Sequence, residues 1–471
     1  PQSPMAVMSM VRIYNEMKKP DETTRVLKKA ATIYKNDYTI NAEMGRILMS
    51  QGKYKEAETA LLAARKVKSD VNVNTNLAFV EMNLEKPNNA RMYAEAAVKA
   101  EPKNKQAMEI YAYVLSASQK NDEAIAIYRK WEKYYPTDPS ANTRIATVYL
   151  TQGKGDLAYK EYEKAMKKAP KDTSIMVGAA SALRTASKHD EAVALLQKAI
   201  AIDPKNSSAM STLAEIYEAQ NKTDLAIEQY KKLVALNPKS PQYIRRLAGA
   251  YDTKKDYMAE IEQYRKLVEL DPKDVTSAVT IARLYDKADK TDEALAEIKT
   301  VSEANPNDDT AHVFYGDMLV KKQDYAGALA QYETLLKSED VRTKSYGHYK
   351  IGDTQEKQGK HDEAIAAYKS CLEGMPSNQQ ALNALSKIYT DQKKSDEFLA
   401  YLKTVVEAGK DDAPYEYYVK QAKEANKSVS EIKLAETGAA IVMDVNTGKV
   451  LAMASYPSYD PNLFIGGISE A

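Results

Sequence analysis

Four histidines offer the first chance of chemistry in this chain. His312 and His348 are each followed one turn later by a carboxylate, Asp317 and Asp353, while His189 and His361 stand directly before Asp190 and Asp362. Imidazole and carboxylate together are common donors to zinc and other divalent ions. The first two histidines occupy equivalent places in neighbouring repeats, and the other two fall in turns between helices, so no metal site is expected. No glycine-rich loop suited to phosphate appears, because the glycines of the Gln51-Gly52-Lys53 type sit where helices end. No nucleophile can be paired with a base, and no cofactor is implied. The lone Cys371 excludes an intramolecular disulfide and falls where other repeats carry alanine, leucine or valine, as a small core residue would.

The regularity lies elsewhere, in elements that repeat. Pro102, Pro136, Pro170, Pro204, Pro238, Pro272 and Pro306 are spaced by 34 residues. Proline fixes φ and lacks an N–H, so each one ends a helix. A second ladder, Ala90, Ala124, Ala158, Ala192, Ala226, Ala294 and Ala328, misses only at Glu260, where Ala259 sits one place early. A third holds small residues: Gly45, Ala78, Ala112, Ala146, Ala180, Ala214, Ala248, Ala282, Gly316 and Gly352. Small side chains at matched places let two helices approach closely.

This pattern resembles the tetratricopeptide repeat (TPR), a helix–turn–helix unit of about 34 residues with small residues at the helix contact and a terminal proline. The segment from Asn206 to Pro238 shows it well, with Leu213-Ala214, Tyr217, Ala226 and Tyr230 in register. The family's early tryptophan is mostly replaced, as by Met108, Met176, Met210 and Ile244. The resemblance implies an all-α, right-handed α-solenoid of about twelve helix pairs, counted from Val11 to Ser386. Its early position, held here by His312 and His348, faces the unit's own second helix and takes a bulky side chain.

Composition agrees with a thin, extended core. Hydrophobic residues make up 44% of the chain, and 33 tyrosines far exceed 4 phenylalanines and 1 tryptophan. A tyrosine ring packs while its hydroxyl reaches water. The net charge is +1, from 67 basic and 66 acidic side chains of interspersed sign, which argues against a nucleic-acid partner. No apolar run approaches the roughly 20 residues that span a bilayer. Pro1 in place of methionine suggests that an upstream piece, a signal peptide among the candidates, has been removed or is not included.

The expected organisation is a repeat superhelix over 1–412, a capping helix and linker over 413–437, and a β-hairpin segment over 438–471. Within the repeats, the two-residue insertion at Ser338–Lys344 is expected to lengthen a surface loop. In the tail, Ala439–Val445 and Val450–Ala454 are strand-like around the Asn446-Thr447-Gly448-Lys449 turn.

That tail resembles the opening of a class B penicillin-binding protein transpeptidase domain. The likeness lies in Asp444-Val445-Asn446-Thr447-Gly448, Leu451-Ala452-Met453-Ala454-Ser455 and Tyr456-Pro457 through Asp460-Pro461-Asn462. In that family the acylating serine is followed three residues on by lysine, with S-x-N and K-T-G elements, all downstream of the matched segment. The two S-x-x-K matches present, Ser50…Lys53 and Ser430…Lys433, lie in a repeat turn and ahead of the strands, and no K-T-G accompanies them. No catalytic residue is assigned.

The functional surface expected of such a solenoid is the concave face. Residues one place beyond each small residue should point into it, and those a turn further on should extend it. Near the N-terminus this gathers Arg46, Met49, Phe79, Met82 and Tyr113, an apolar patch with a basic rim, as a peptide groove would have. Tyr346, Tyr349 and Asp353 form a second candidate. The expectation is a non-catalytic scaffold for a protein or peptide partner, in the bacterial cell envelope, with the cytoplasm as runner-up. The alternatives are a recruitment arm for a peptidoglycan transpeptidase and a self-associating subunit of a surface or filament assembly.

Overall fold

The computed structural model describes residues 3–407 and three short strands at 432–433, 440–443 and 450–454. Its helices pair into twelve hairpins in two compact units, Pro1–Pro238 and Lys239–Ala471. In the first unit the hairpins are α1–α2 (Pro4–Glu16, Pro20–Ile33), α3–α4 (Tyr38–Ser50, Tyr54–Val67), α5–α6 (Val71–Asn83, Pro87–Ala100), α7–α8 (Lys105–Ala117, Asn121–Tyr134), α9–α10 (Ser140–Thr151, Gly155–Lys168), α11–α12 (Thr173–Thr185, His189–Ile202) and α13–α14 (Ser207–Ala219, Thr223–Leu236). The second holds α15–α16 (Pro241–Lys254, Tyr257–Leu270), α17–α18 (Val275–Lys287, Thr291–Ala304), α19–α20 (Asp309–Lys321, Tyr325–Leu335), α21–α22 (Val341–Lys357, His361–Gly374) and α23–α24 (Gln379–Asp391, Ser395–Glu407).

Most hairpins are punctuated in the same way. The first helix opens on a side-chain cap: Asp70, Asn104, Asp172, Asn206, Asp274 and Asp308 each accept a hydrogen bond from the backbone N–H three residues on. Such caps satisfy donors that the helix leaves free. The first helix closes on a residue at positive φ followed by a hydrogen bond back across the turn, as where the Lys188 N–H donates to the Leu183 carbonyl at 2.8 Å. This is a Schellman closure. The second helix ends two residues before the proline, and the residue between sits at φ −127° to −138°, the extended region that a following proline imposes.

The core is the seam between helices of one hairpin and between neighbouring hairpins. Every alanine of the second ladder is fully buried. The residues in place of the early tryptophan are buried as well, with Met108 and Met176 at 1%, Met210 at 3% and Ile244 at 0% exposure. At the glycines the helices pass closest. A Cβ on Gly352 would lie 2.8 Å from the Tyr368 ring, and one on Gly316 would overlap the Tyr332 ring. Tyr332 cannot swing away, because its hydroxyl donates to Asp317 at 2.6 Å.

One expectation is refined and two details of the pattern are resolved. The insertion lengthens the connection by only one residue, to 336–340, and goes mainly into α21, which has 17 residues against 13 in most first helices because Asp340 caps it a turn early by accepting from the Thr343 N–H at 3.0 Å. Pro87 is the first residue of α6, where its missing N–H costs nothing. At the break in the alanine ladder there is no register slip, since Glu260 itself takes the buried place at 4% exposure. The capping helix expected over 413–437 lies outside the described residues, apart from Ile432–Lys433, which is strand. That strand pairs antiparallel with Ala440–Met443, which pairs antiparallel with Val450–Ala454. The turn expected at 446–449 also lies outside the described residues.

Two glycines in first helices test this packing. Gly316→Ala is expected to destabilise the second unit by about 1–3 kcal/mol through overpacking against Tyr332. Gly249→Ala, where a Cβ would meet nothing within 4 Å, is expected to stabilise it by about 0.5–1 kcal/mol. Chemical denaturation of the two variants checks both signs.

Candidate binding groove

The residues one place beyond the small-residue ladder do face outward. Arg12, Arg46, Phe79, Tyr113, Thr147, Gly249, Arg283 and Lys387 are exposed, and Ser181, Glu215, Asp317 and Asp353 are half-exposed. Helical geometry requires this. One residue advances about 100°, which carries the next side chain off the hairpin contact while the small residue stays in it.

In the first unit these positions open a cavity of about 390 Å³ across α3, α5, α7, α8 and α9. Met49, Phe79 and Tyr113 all line it. Phe79 is 38% and Tyr113 51% exposed. Phe79 is braced edge-on by Tyr54, with ring centroids 6.3 Å apart. Arg46 and Met82 are not among the lining residues. The Arg46 guanidinium folds back on its own helix to Glu43, with Nε donating at 2.8 Å, and half-buried Met82 packs against the core of α3 to α7. The basic rim comes instead from Arg144, which pairs with Glu109 across α9 and α7. Tyr128 closes the floor, its hydroxyl pushed up to about 12 by burial, with Arg144 opposing and Glu109 reinforcing the shift.

The residues that sequence reasoning missed are Thr75, Asn76, Gln106, Glu109, Ile110, Tyr128 and Arg144. Four of them stand three or four places before Phe79 and Tyr113, one turn toward the N-terminus. Cα–Cβ bonds in a helix tilt toward its N-terminus, so the surface a residue covers lies over the preceding turn. Extending the ladder backward as well as forward would have found them.

In the second candidate the rings of Tyr346 and Tyr349 lie 6.2 Å apart. Tyr346 lines a separate cavity of about 400 Å³ with Arg342, Val313, Leu335 and Met375. Tyr349 packs 6.0 Å from Tyr368 against the terminal core, and Asp353 accepts from Lys357 at 2.7 Å.

Of the histidines, His312 is held by ordinary partners, while the Nδ1 of His189 is buried without a hydrogen-bond partner. His312 is buried, with Nδ1 2.8 Å from Gln331 Oε1 and Nε2 3.1 Å from the Pro306 carbonyl. Burial lowers the basicity of His348. Among the described residues no three His, Cys, Asp or Glu side chains converge on a metal position. Burial pushes the Cys371 thiol up to about 12. Ser50 donates its hydroxyl to the Ile47 carbonyl at 2.7 Å, and Ser430 lies outside the described residues. Among the described residues no helix is long and apolar enough to cross a membrane.

Repeated capped hairpins, packed through small residues and bearing an outward row on their first helices, define a helical repeat protein of the interaction-scaffold type. The chain belongs to the tetratricopeptide repeat family, whose models match residues 75–139, 143–207, 183–250, 246–274, 279–340 and 356–421. Among solved structures it is similar to the C-terminal part of a TPR protein from Cytophaga hutchinsonii, at 21% identity over 58% of this chain and 98% of that one, with a TM-score of 0.40. YrrB, described as a TPR protein with an unusual peptide-binding site, is 18% identical over 41% of this chain and 97% of its own, with a TM-score of 0.31. Over 49 residues the chain is 53% identical to the peptidoglycan D,D-transpeptidase FtsI of Escherichia coli K12. That stretch is 10% of this chain and spans 8% of the length of that relative.

Proposed function

We propose that this chain is a non-catalytic scaffold that holds a peptide segment of a partner protein in the groove between α3 and α9. The observation that carries this reading is the pair of large side chains, Phe79 and Tyr113, standing 38% and 51% exposed in the wall of a 390 Å³ cavity. Aromatic anchors in a concave, mostly apolar site are what peptide recognition uses. Backbone-matching polar groups are at hand in Asn76 and Gln106, whose amides can both donate and accept.

Selection of displayed random peptides against the chain, followed by calorimetric titration, tests the reading. The double variant Phe79→Ala, Tyr113→Ala is expected to weaken selected peptides at least tenfold, on the order of 1–3 kcal/mol for such anchors, with unchanged helical circular dichroism. Peptides that bind both forms equally would remove the groove from consideration.

A second reading is favoured by the 49-residue similarity to the transpeptidase and by the tail residues quoted above. In it the repeats recruit partners for a peptidoglycan transpeptidase in the bacterial cell envelope. A fluorescent penicillin is expected to leave this chain unlabelled. Covalent labelling abolished by boiling would contradict the non-catalytic reading and favour the second.

A further inference from the structure

The alanine ladder marks a fully buried place on the second helix of seven hairpins, and one further hairpin carries an acid there. Ala226, Ala294 and Ala328 are fully buried at this place, and in α16 the same place holds Glu260, 4% exposed. Its carboxylate oxygen Oε2 is buried and has no hydrogen-bond partner. Leaving a buried acceptor unpaired is costly, and more so when it carries charge.

Another acid in the chain shows what a provided-for site looks like. Glu161 is also 4% exposed, but it accepts from Arg129 at 2.6 and 2.8 Å, from Lys164 at 2.8 Å and from Asn142 at 3.0 Å. Those partners pull its carboxyl down to about 2 against the opposing effect of burial. Glu260 has no such set. From α15 it faces Asp252, a like charge; from α17 it faces Lys287; on its own helix it faces Tyr264. The single cation is engaged, with Lys287 Nζ 3.6 Å from Asp252 Oδ1. Arg245, also on α15, lies 3.5 Å from Asp274.

We propose that Glu260 is a pH-operated latch: as a neutral acid it lets α15 and α16 close, and on ionisation it loosens that hairpin relative to the rest of the stack. Burial, reinforced by Asp252, raises its carboxyl from an ordinary 4.5 to about 7. The native hairpin therefore holds a proton that the opened one releases. Its stability is fully present below about pH 4.5, declines as pH rises through about 7, and is flat beyond. Because repeat proteins are stabilised by nearest-neighbour contacts, one loosened hairpin can act as a joint without unfolding the others.

Amide hydrogen exchange of the full chain at pH 5.5 and 8.5, corrected for intrinsic exchange rates, tests this with α11–α12 as internal reference. Protection of α15 and α16 is expected to fall on the order of tenfold more than that of the reference at the higher pH. Glu260→Gln and Glu260→Ala, the latter restoring the ladder residue, are expected to remove the difference. In the unaltered chain the Glu260 carboxyl carbon should titrate near neutrality by NMR. A carboxyl titrating near 4.5, protection that falls equally in both hairpins, or a fall that persists in Glu260→Gln would overturn the proposal.

Discussion

Everything in this molecule depends on how closely two short antiparallel helices can pass. A helix of 13 or 14 residues has little stability of its own in water, so each must be held by what it buries. The small residue on the first helix sets the spacing, and a large one on the second fills it: Leu61 against Gly45, Tyr332 against Gly316, Tyr368 against Gly352. The tyrosines do this without burying an unpaired hydroxyl, since Tyr332 and Tyr368 donate to Asp317 and Glu356 at the hairpin's edge.

The same spacing is paid for in the turns. Among the described residues twelve, one per hairpin, stand at positive φ, and of these only Gly52, Gly153 and Gly359 are glycines. The other nine, Lys18, Glu85, Gln119, Ser187, Asn221, Lys255, Asp289, Gln323 and Lys393, adopt a conformation that costs an L-residue about 1–2 kcal/mol. It persists because the closure it makes satisfies carbonyls at the end of the first helix and aims the second helix back onto the small-residue face. Cooperation between hairpins supplies the rest. Ile47, Val80, Val114, Val148 and Ile216 are at most 7% exposed where the preceding hairpin covers them, whereas Ile13, at the same place in α1, is 53% exposed.

Most of the fold was legible from spacing. The proline, alanine and small-residue ladders placed all twelve hairpins, because a period of 34 leaves few other architectures. A further ladder was present and unread: Asp70, Asn104, Asp172, Asn206, Asp274 and Asp308 mark the start of first helices. Had it been used, Asp340 would have announced that the insertion joins α21 more than the loop. The groove was half legible. Met49, Phe79 and Tyr113 followed from the outward row, but Arg46 and Met82 share that row and do not line the cavity, because one found a carboxylate on its own helix and the other found the core.

The amino-acid sequence by itself determined the period, the pairing of helices and the face each helix buries, because these are local consequences of propensity, capping and side-chain size repeated in phase. Tertiary structure alone decided which outward residues meet across neighbouring helices, which ion pairs form, and that Glu260 is enclosed without a partner while Glu161 has several. Those outcomes depend on distances between side chains far apart in the chain, and a repeat pattern that makes every unit look alike carries no information about the differences.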